Sequence, residues 1–532
     1  MKKLLIPCLL LIQASSYAQF KVVAESPSFR EPEGLAQILQ MKNGNTLFIR
    51  NGHPGSYDLQ IFDAAHQLKL QQKIAPDPGK RGYYSIASIF ETNGDIAIFL
   101  NDRENDTIML NRLVLDGNTA KVKREEKIAT MKTMTRGQMY GMWIKGTPEQ
   151  DFIVRKDLYS DNYAVASLNS FAPDPNKRIE VMLYSADHAE LSRAYYTSPE
   201  DKYKYLKFID MSVVNKEKVC MLAYAYHTRV RDDKERELVL ASLDKGAAAL
   251  TLDELEFSEF MKIAHGLTRF NPVTQKLLLL ADIAPDNIPA QHAVLLSIDP
   301  VTKKIENTFE AFPEDANRKN IELFGRRPAL NATPQGLFIH TDGSFSIVSE
   351  EIKNIRHSSS TDVLDVLEDE GTELGNVTVS TFDTSGKQIR NYLIPKKHFY
   401  FNNKKSAFYN AYQLGDMSFA GDEYKSFTYI NSKDRMYVLF NDNEENTEKV
   451  LKGKLTTVRR INKCDAYYYT LSGDHVLPAR GQVFGKGENE QDHNLALFVG
   501  SDYDPVRDLF IALKLEVNGN DKRMKLVWMS PS

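Results

Sequence analysis

Residues 35–74, LAQILQMKNGNTLFIRNGHPGSYDLQIFDAAHQLKLQQKI, hold the pattern on which the fold turns. An apolar-rich run over 35–41 meets Lys42-Asn43-Gly44-Asn45, and Thr46-Leu47-Phe48-Ile49-Arg50 returns. An Asn-Gly pair suits a type I′ turn, which needs φ > 0 at both central residues. After a longer loop, Tyr57, Leu59 and Ile61 alternate with Asp58 and Gln60, the period of a strand with one buried face. Asp63-Ala64-Ala65-His66 turns the chain, and Leu68, Leu70 and Ile74 share one face of a fourth strand. The stretch reads as one four-stranded antiparallel unit.

Variants of this unit recur. The first turn returns as Thr92-Asn93-Gly94-Asp95. The second returns as an apolar strand ending in Asp or Asn: Phe62-Asp63, Leu115-Asp116, Leu168-Asn169, Leu243-Asp244, Ile298-Asp299, Phe382-Asp383 and Val517-Asn518. Asp and Asn suit that position because their short side chains accept from backbone N–H groups two residues on. Several intervals are roughly 53–55 residues, a repeat-protein period. The last interval is long enough to hide one more turn, which Leu471-Ser472-Gly473-Asp474 could fill. The strand ends Asn101-Asp102-Arg103-Glu104 and Asn441-Asp442-Asn443-Glu444 echo each other and should mark the same strand in two units.

Four strands per ~50–60 residues, repeated radially, is how a β-propeller limits exposed sheet edges. The chain resembles secreted bacterial β-propellers of the divergent NHL- or kelch-like kind, in repeat length and strand pattern over most of residues 20–530. No blade signature accompanies the pattern, so the resemblance carries no catalytic residue with it. The expected fold is all-β, a propeller of four-stranded antiparallel blades, seven in number with eight the alternative. One propeller domain is expected over residues 19–532. Phe20-Lys21-Val22-Val23 could pair with strands at 509–517 or 525–529 and so close the ring.

Three segments break the rhythm. Residues 357–375 (HSSSTDVLDVLEDEGTELG) read as an acidic inserted loop, 250–262 as a short helix, and 486–493 as a polar loop.

Lys2 and Lys3 precede the short apolar run Leu4 to Ile12, and Ser16-Tyr17-Ala18 offers small residues at a cleavage site. Residues 1–18 thus read as a signal peptide, too short for a membrane span. The expected location is the periplasm or the cell exterior, as a monomer. A net charge of −4 argues against non-specific nucleic-acid binding. Only Cys220 and Cys464 remain in the mature chain. Cys220, in Val219-Cys220-Met221-Leu222, reads as a core thiol, and a bridge to Cys464 would require their Cα atoms within disulfide range.

No nucleophile elbow, HExxH, P-loop or CxxC occurs, and no cofactor or metal is implied. Cationic steps stand just before expected innermost strands: Arg81-Gly82, Arg136-Gly137 and Gly325-Arg326-Arg327, with His265-Gly266 similarly placed. Converging on the channel mouth, Arg81, Arg136, His265, Arg326 and Arg327 would take an anion such as a carboxylate or phosphate. Pairing with local acids is the competing reading. The Asn-Asp-x-Glu ends offer Ca²⁺-type oxygens but lack the rest of an EF-hand loop, so surface acids explain them better. Asp502-Tyr503-Asp504-Pro505-Val506-Arg507-Asp508 reads as a turn before it reads as acid/base equipment. His227 and Arg229, near Asp232 and Asp233, matter only if they share a pocket.

Two function classes follow. The first is a non-enzymatic binding or scaffold propeller, taking a protein or a small anionic or glycan ligand. The second is a glycan-active hydrolase or lyase working at the channel mouth.

Overall fold

The computed structural model describes residues 20–531 except 31–33, 53–55, 75–84, 134–149, 171, 199–201, 204, 227–235, 258–260, 286–291, 326–328, 356–370, 402–403, 415, 418–420, 434, 474–475, 488, 490 and 520. Its strands form eight antiparallel sheets. Blade 1 contains Gly34–Gln40, Thr46–Asn51, Tyr57–Phe62 and Leu68–Ile74 in that order, innermost first. Blade 2 runs from Ser85–Thr92 to Val122–Lys132, and blade 3 from Gln150–Lys156 to Glu190–Tyr195. Blade 4 runs from Tyr205–Val214 to Thr251–Leu255, and blade 5 from Met261–Asn271 to Lys304–Glu310. Blade 6 runs from Ala332–Ile339 to Gln388–Ile394, with His398–Phe401 paired beside its third strand. Blade 7 runs from Thr428–Asn431 to Ala479–Gln482.

Blade 8 is built from both chain ends. Asp492–Asp504, Leu509–Asn518 and Asp521–Ser530 supply three strands, and Lys21–Glu25 is the fourth. Lys21 pairs with Ser530 and Val22 with Met529, as the sequence suggested. The propeller has eight blades, the larger of the two expected counts.

The core lies between blades rather than within them. Each of the eight neighbouring pairs has its own apolar cluster. The cluster that closes the ring joins Ile38, Phe48 and Phe62 of blade 1 to Leu497, Leu513 and Trp528 of blade 8. Each buried Leu or Ile in such a cluster stabilises by about 1.5–3 kcal/mol. The outermost strands pack on one side at most, which is why only Ile74 of Leu68–Ile74 is buried and Leu68 is exposed.

The recurring Asp turns work as their chemistry requires. Asp63 Oδ1 accepts from the N–H groups of Ala65 and Gln67, both at 2.9 Å. Asp383 Oδ1 accepts from those of Ser385 and Lys387 at 2.9 and 3.0 Å. Asp116 and Asp299 hold their turns in the same way. Asn169 and Asn518 are one strand out of step, because each ends the second strand of its blade. In blade 3 the equivalent turn follows Tyr184, where Ser185 Oγ accepts from Ala189 N–H at 3.2 Å. The turn after Leu471 does join the third and fourth strands of blade 7.

The two Asn-Gly turns differ. Asn93 (φ 49°) and Gly94 (φ 81°) form the expected two-residue I′ turn between Thr92 and Asp95. At Asn43-Gly44 only Gly44 is left-handed, and Gly44 N–H reaches Met41 O at 2.9 Å. That is a three-residue loop with a glycine bulge rather than type I′.

The described residues of 250–262 are not helical, and 258–260 lie outside the described residues. Thr251–Leu255 is the outer strand of blade 4 and Met261 opens the next blade. Of 357–375, the described part, 371–375, belongs to the strand Gly371–Phe382, and the rest lies outside the described residues. Cys220 and Cys464 are unbridged and buried, in blades 4 and 7. Among the described residues no helix is long and apolar enough to cross a membrane.

Candidate functional site

The innermost strands of blades 3, 4 and 5 line one side of the central channel, and they carry charge. Arg155 in Gln150–Lys156 donates through Nε to Oδ1 of Asp210, in Tyr205–Val214, at 2.9 Å. Asp210 is fully buried. Its Oδ2 accepts from Thr268 N–H at 2.8 Å and from Thr268 Oγ1 at 3.2 Å, both in Met261–Asn271. A buried carboxylate needs this many donors to stay in place.

The next residue, Arg269, donates from Nη1 to the Thr268 carbonyl at 2.8 Å and to Tyr412 Oη at 3.0 Å. Among the described residues no carboxylate lies within ion-pair distance of Arg269. Tyr159, exposed on the loop after Gln150–Lys156, lies close enough to feel the Arg269 charge.

Tyr412 comes from outside the blades. Residues 404–414 leave blade 6 and cross the channel. Phe408 N–H donates to Pro334 O on the innermost strand of blade 6 at 2.9 Å. Tyr409 Oη donates to Glu350 Oε2 at 2.7 Å. Tyr412 then reaches blades 3 to 5, donating from Oη to Asp210 Oδ2 at 2.9 Å. Its ring centroid lies 3.5 Å from the guanidinium carbon of Arg155 and 5.6 Å from that of Arg269. Beyond it, Asp416–Met417 pairs with Gly34 and Leu35, on the innermost strand of blade 1. The strap thus touches innermost strands of blades 3 to 6 and continues to that of blade 1. Although 41 % exposed, Tyr412 has its phenol pushed up by desolvation, as befits a ring standing in a walled channel.

The strap's other anchor is a buried ion pair. Lys396 Nζ donates to Glu350 Oε1 at 2.5 Å, and both side chains are wholly buried. Burial pushes Lys396 below its usual range, with Glu350 opposing the shift.

Two cavities lie away from the channel. One, of about 490 Å³, is lined by Tyr203, Asp253, Glu254 and Lys303, and its charges answer each other. Lys303 pairs with Asp253 at 2.7 Å, and Glu254 is held down to about 2 by Lys202 and Tyr203. The second, of about 280 Å³ between blades 2 and 3, is lined by Arg112, Arg124, Glu126, His188 and Arg193. Arg112 is buried against Glu126, the Tyr163 hydroxyl and the His188 carbonyl. Tyr163 Oη lies 3.0 Å from His188 Nδ1, and burial with Arg112 nearby lowers His188 to about 4. Arg193 is taken by Glu180 and Glu190.

Of the residues singled out from sequence, Arg81, Arg136, Arg326 and Arg327 lie outside the described residues, as do His227, Arg229, Asp232 and Asp233. His265 sits on the innermost strand of blade 5, four residues before Arg269. Its Nδ1 lies 3.4 Å from buried Asp282 Oδ2. In 502–508 the strand Asp492–Asp504 ends and residues 505–508 turn the chain, with Asp504 Oδ1 accepting from Val506 N–H at 2.8 Å. Asp502 joins blade 8 to blade 1 by accepting from Gln40 N–H at 2.6 Å, and desolvation raises it to about 6. Both Asn-Asp-x-Glu runs end second strands, but Asp102 and Asp442 are buried rather than surface acids, and Asp442 pairs with Arg480 at 3.2 Å. Among the described residues no three His, Cys, Asp or Glu side chains gather to hold a metal.

Sequence reading missed Arg155, Asp210, Arg269 and Tyr412. A lone acid in Phe208-Ile209-Asp210-Met211 was the one available signal, since an ionised group in an apolar strand requires a partner. Nothing local marks Tyr412, whose role depends on where the strap lands.

No protein-family model matches the chain, and no curated protein matches it either. Solved structures do. A Dos1 propeller matches with a TM-score of 0.44 at 10% identity, covering 95% of this chain and 94% of the other. The WD40 domain of SCAP from fission yeast matches at 0.36 and 9%, covering 96% and 98%. The polysaccharide lyase Uly1 matches at 0.37 and 8%, covering 86% and 94%. At such distances the likeness says nothing of ligand or reaction, and the propeller assignment stands on the strand pairing itself.

Proposed function

We propose that this protein is an exported binding propeller that takes an anionic ligand at its central channel, on the wall formed by blades 3 to 5. The carrying observation is Arg269, a cation on an innermost strand that has no carboxylate partner among the described residues and shares the ring of Tyr412 with a second guanidinium, Arg155. Paired guanidinium groups favour carboxylate, sulfate or phosphate oxygens. Export rests on the Lys2-to-Ala18 pattern. The glycan-active enzyme is the weaker reading. The wall carboxylate Asp210 is buried and already holds Arg155, Thr268 and Tyr412, so it is poorly placed for proton transfer.

The test is calorimetric titration of the full chain with carboxylate, sulfate and phosphate compounds. A desolvated Arg contact to an anion contributes about 1.5–3 kcal/mol, so Arg269→Ala should weaken the best binder at least about tenfold. Equal affinity in wild type and variant would remove the channel wall as the site.

A further inference from the structure

The wall described above is not empty of a ring: Tyr412 already fills it. Its phenol oxygen accepts from Arg269 at 3.0 Å and donates to Asp210 at 2.9 Å, while Arg155 covers the ring at 3.5 Å. Those three contacts are what a binding seat offers a ligand: a cation over a flat face, a donor and an acceptor at one oxygen. They are supplied by three different blades, and the group that receives them arrives on a segment belonging to none. The segment is packed where it leaves blade 6, with Phe408 buried and Asn410 bonded to Phe427 O, but the tip that carries the ring is lightly held. Between its anchors at Tyr409 and Asp416 the ring of Tyr412 is 41 % exposed, and among the described residues the pairing with blade 1 is two residues long. An element with few buried contacts opens at low cost.

We infer that 404–414 is a built-in occupant of the anion seat. The ligand class it stands in for is a flat ring that carries a negative charge elsewhere on its rim, such as a phenolic acid or another aromatic carboxylate. This rests on the reading under Proposed function and adds to it the ligand's shape and the regulation of the seat. Binding requires Tyr412 to leave. The ligand's anionic group then pairs with Arg269, whose charge a neutral phenol leaves unmet, on the side away from Asp210, while Arg155 keeps its pairing with Asp210. The ring takes the place under Arg155, which a ringless anion leaves open. Asp210 stays compensated throughout by Arg155 and Thr268. Because the competent state is populated only when the strap is out, the measured dissociation constant is the intrinsic one divided by the open fraction.

Titration of the full chain with 4-hydroxybenzoate, benzoate and inorganic phosphate, in wild type, Tyr412→Ala, Tyr412→Phe and Arg269→Ala, tests the inference. Hydrogen exchange over 404–414 accompanies it. A strap seated for more than about nine-tenths of the time predicts at least about tenfold tighter 4-hydroxybenzoate binding to Tyr412→Ala. The ring compounds should outbind phosphate, and 4-hydroxybenzoate should speed exchange of 404–414 in wild type. Tyr412→Phe keeps the ring, loses both phenol contacts, and should exchange faster there without ligand. Arg269-dependent binding that is equal in wild type and Tyr412→Ala, with strap exchange unchanged, would overturn the occupant and leave the channel reading standing. Absence of Arg269-dependent binding for all three probes, in wild type and Tyr412→Ala alike, would overturn both.

Discussion

The indole N–H of Trp528 donates to Thr46 Oγ1 at 3.1 Å, joining residues 482 positions apart in the chain. Trp528 is wholly buried between blades 8 and 1, its ring edge-on to Phe62 at 5.2 Å. It therefore reports on ring closure. Trp528→Ala should cost about 3–5 kcal/mol through the cavity it leaves. Trp528→Phe should cost less, because it keeps most of the area and loses the hydrogen bond. Urea unfolding checks this. A midpoint unmoved by the alanine variant would mean that the seam does not contribute to global stability.

The fourth strand of blade 8 comes from the other end of the chain, which makes its removal a second test of closure. Phe20 packs against Tyr437 at 5.1 Å and Tyr468 at 5.2 Å, and Lys21–Glu25 covers the edge of Asp521–Ser530. Deleting residues 20–25 exposes that edge and uncovers the cluster. The expected outcome is a lower Tm with increased aggregation on heating. An unchanged melting curve would show that the strand is dispensable.

How much of this was legible in the sequence divides along the range of the interactions. Asp63, Asp116, Asp299 and Asp383 were readable because each closes its own turn with N–H groups two to four residues on. Asn169 misled for the same reason: it is a sound turn residue, and nothing local says which pair of strands the turn joins. Residues 250–262 looked helical because their apolar spacing is loose, and the pairing of Leu252 with Ala241 that makes Thr251–Leu255 a strand is set by the blade. The channel site was out of reach altogether. Arg155, Asp210, Arg269 and Tyr412 come from three blades and a strap, with Tyr412 accepted by an aspartate 202 residues away.

His188 gives a pH signature. Its folded pKa of about 4 lies below the ordinary 6.5, because burial and Arg112 disfavour the imidazolium. Between those values the unfolded chain binds a proton that the folded protein does not, so stability rises with pH across the window and is lost as pH falls from 6.5 to 4. Asn tolerates the left-handed backbone at this position (φ 65°) and does not titrate. The Tm difference between wild type and His188→Asn should therefore shift in favour of the variant on going from pH 7 to pH 4.5. A constant difference would mean that His188 is protonated freely in the folded state.

The last prediction concerns the buried pair under the strap. Lys396 and Glu350 are wholly buried, 2.5 Å apart, and Tyr409 supplies the only other side-chain hydrogen bond to Glu350 among the described residues. A buried ion pair contributes little against an apolar replacement, yet removing one partner strands the other charge at a cost of about 3–5 kcal/mol. Lys396→Met should therefore be strongly destabilising. Adding Glu350→Gln should recover most of the loss, since the amide has no charge to strand and keeps an acceptor for Tyr409. Tyr409→Phe should cost about 1.5–3 kcal/mol, the size of a hydrogen bond to a charged group. Unlike the other two variants, it should also speed hydrogen exchange over 404–414 more than in blade 6. Urea midpoints for the single and double variants form the cycle that separates pair from packing. If the double variant is no more stable than Lys396→Met alone, the loss comes from the missing lysine stem rather than from the stranded carboxylate, and the charge account of this core fails.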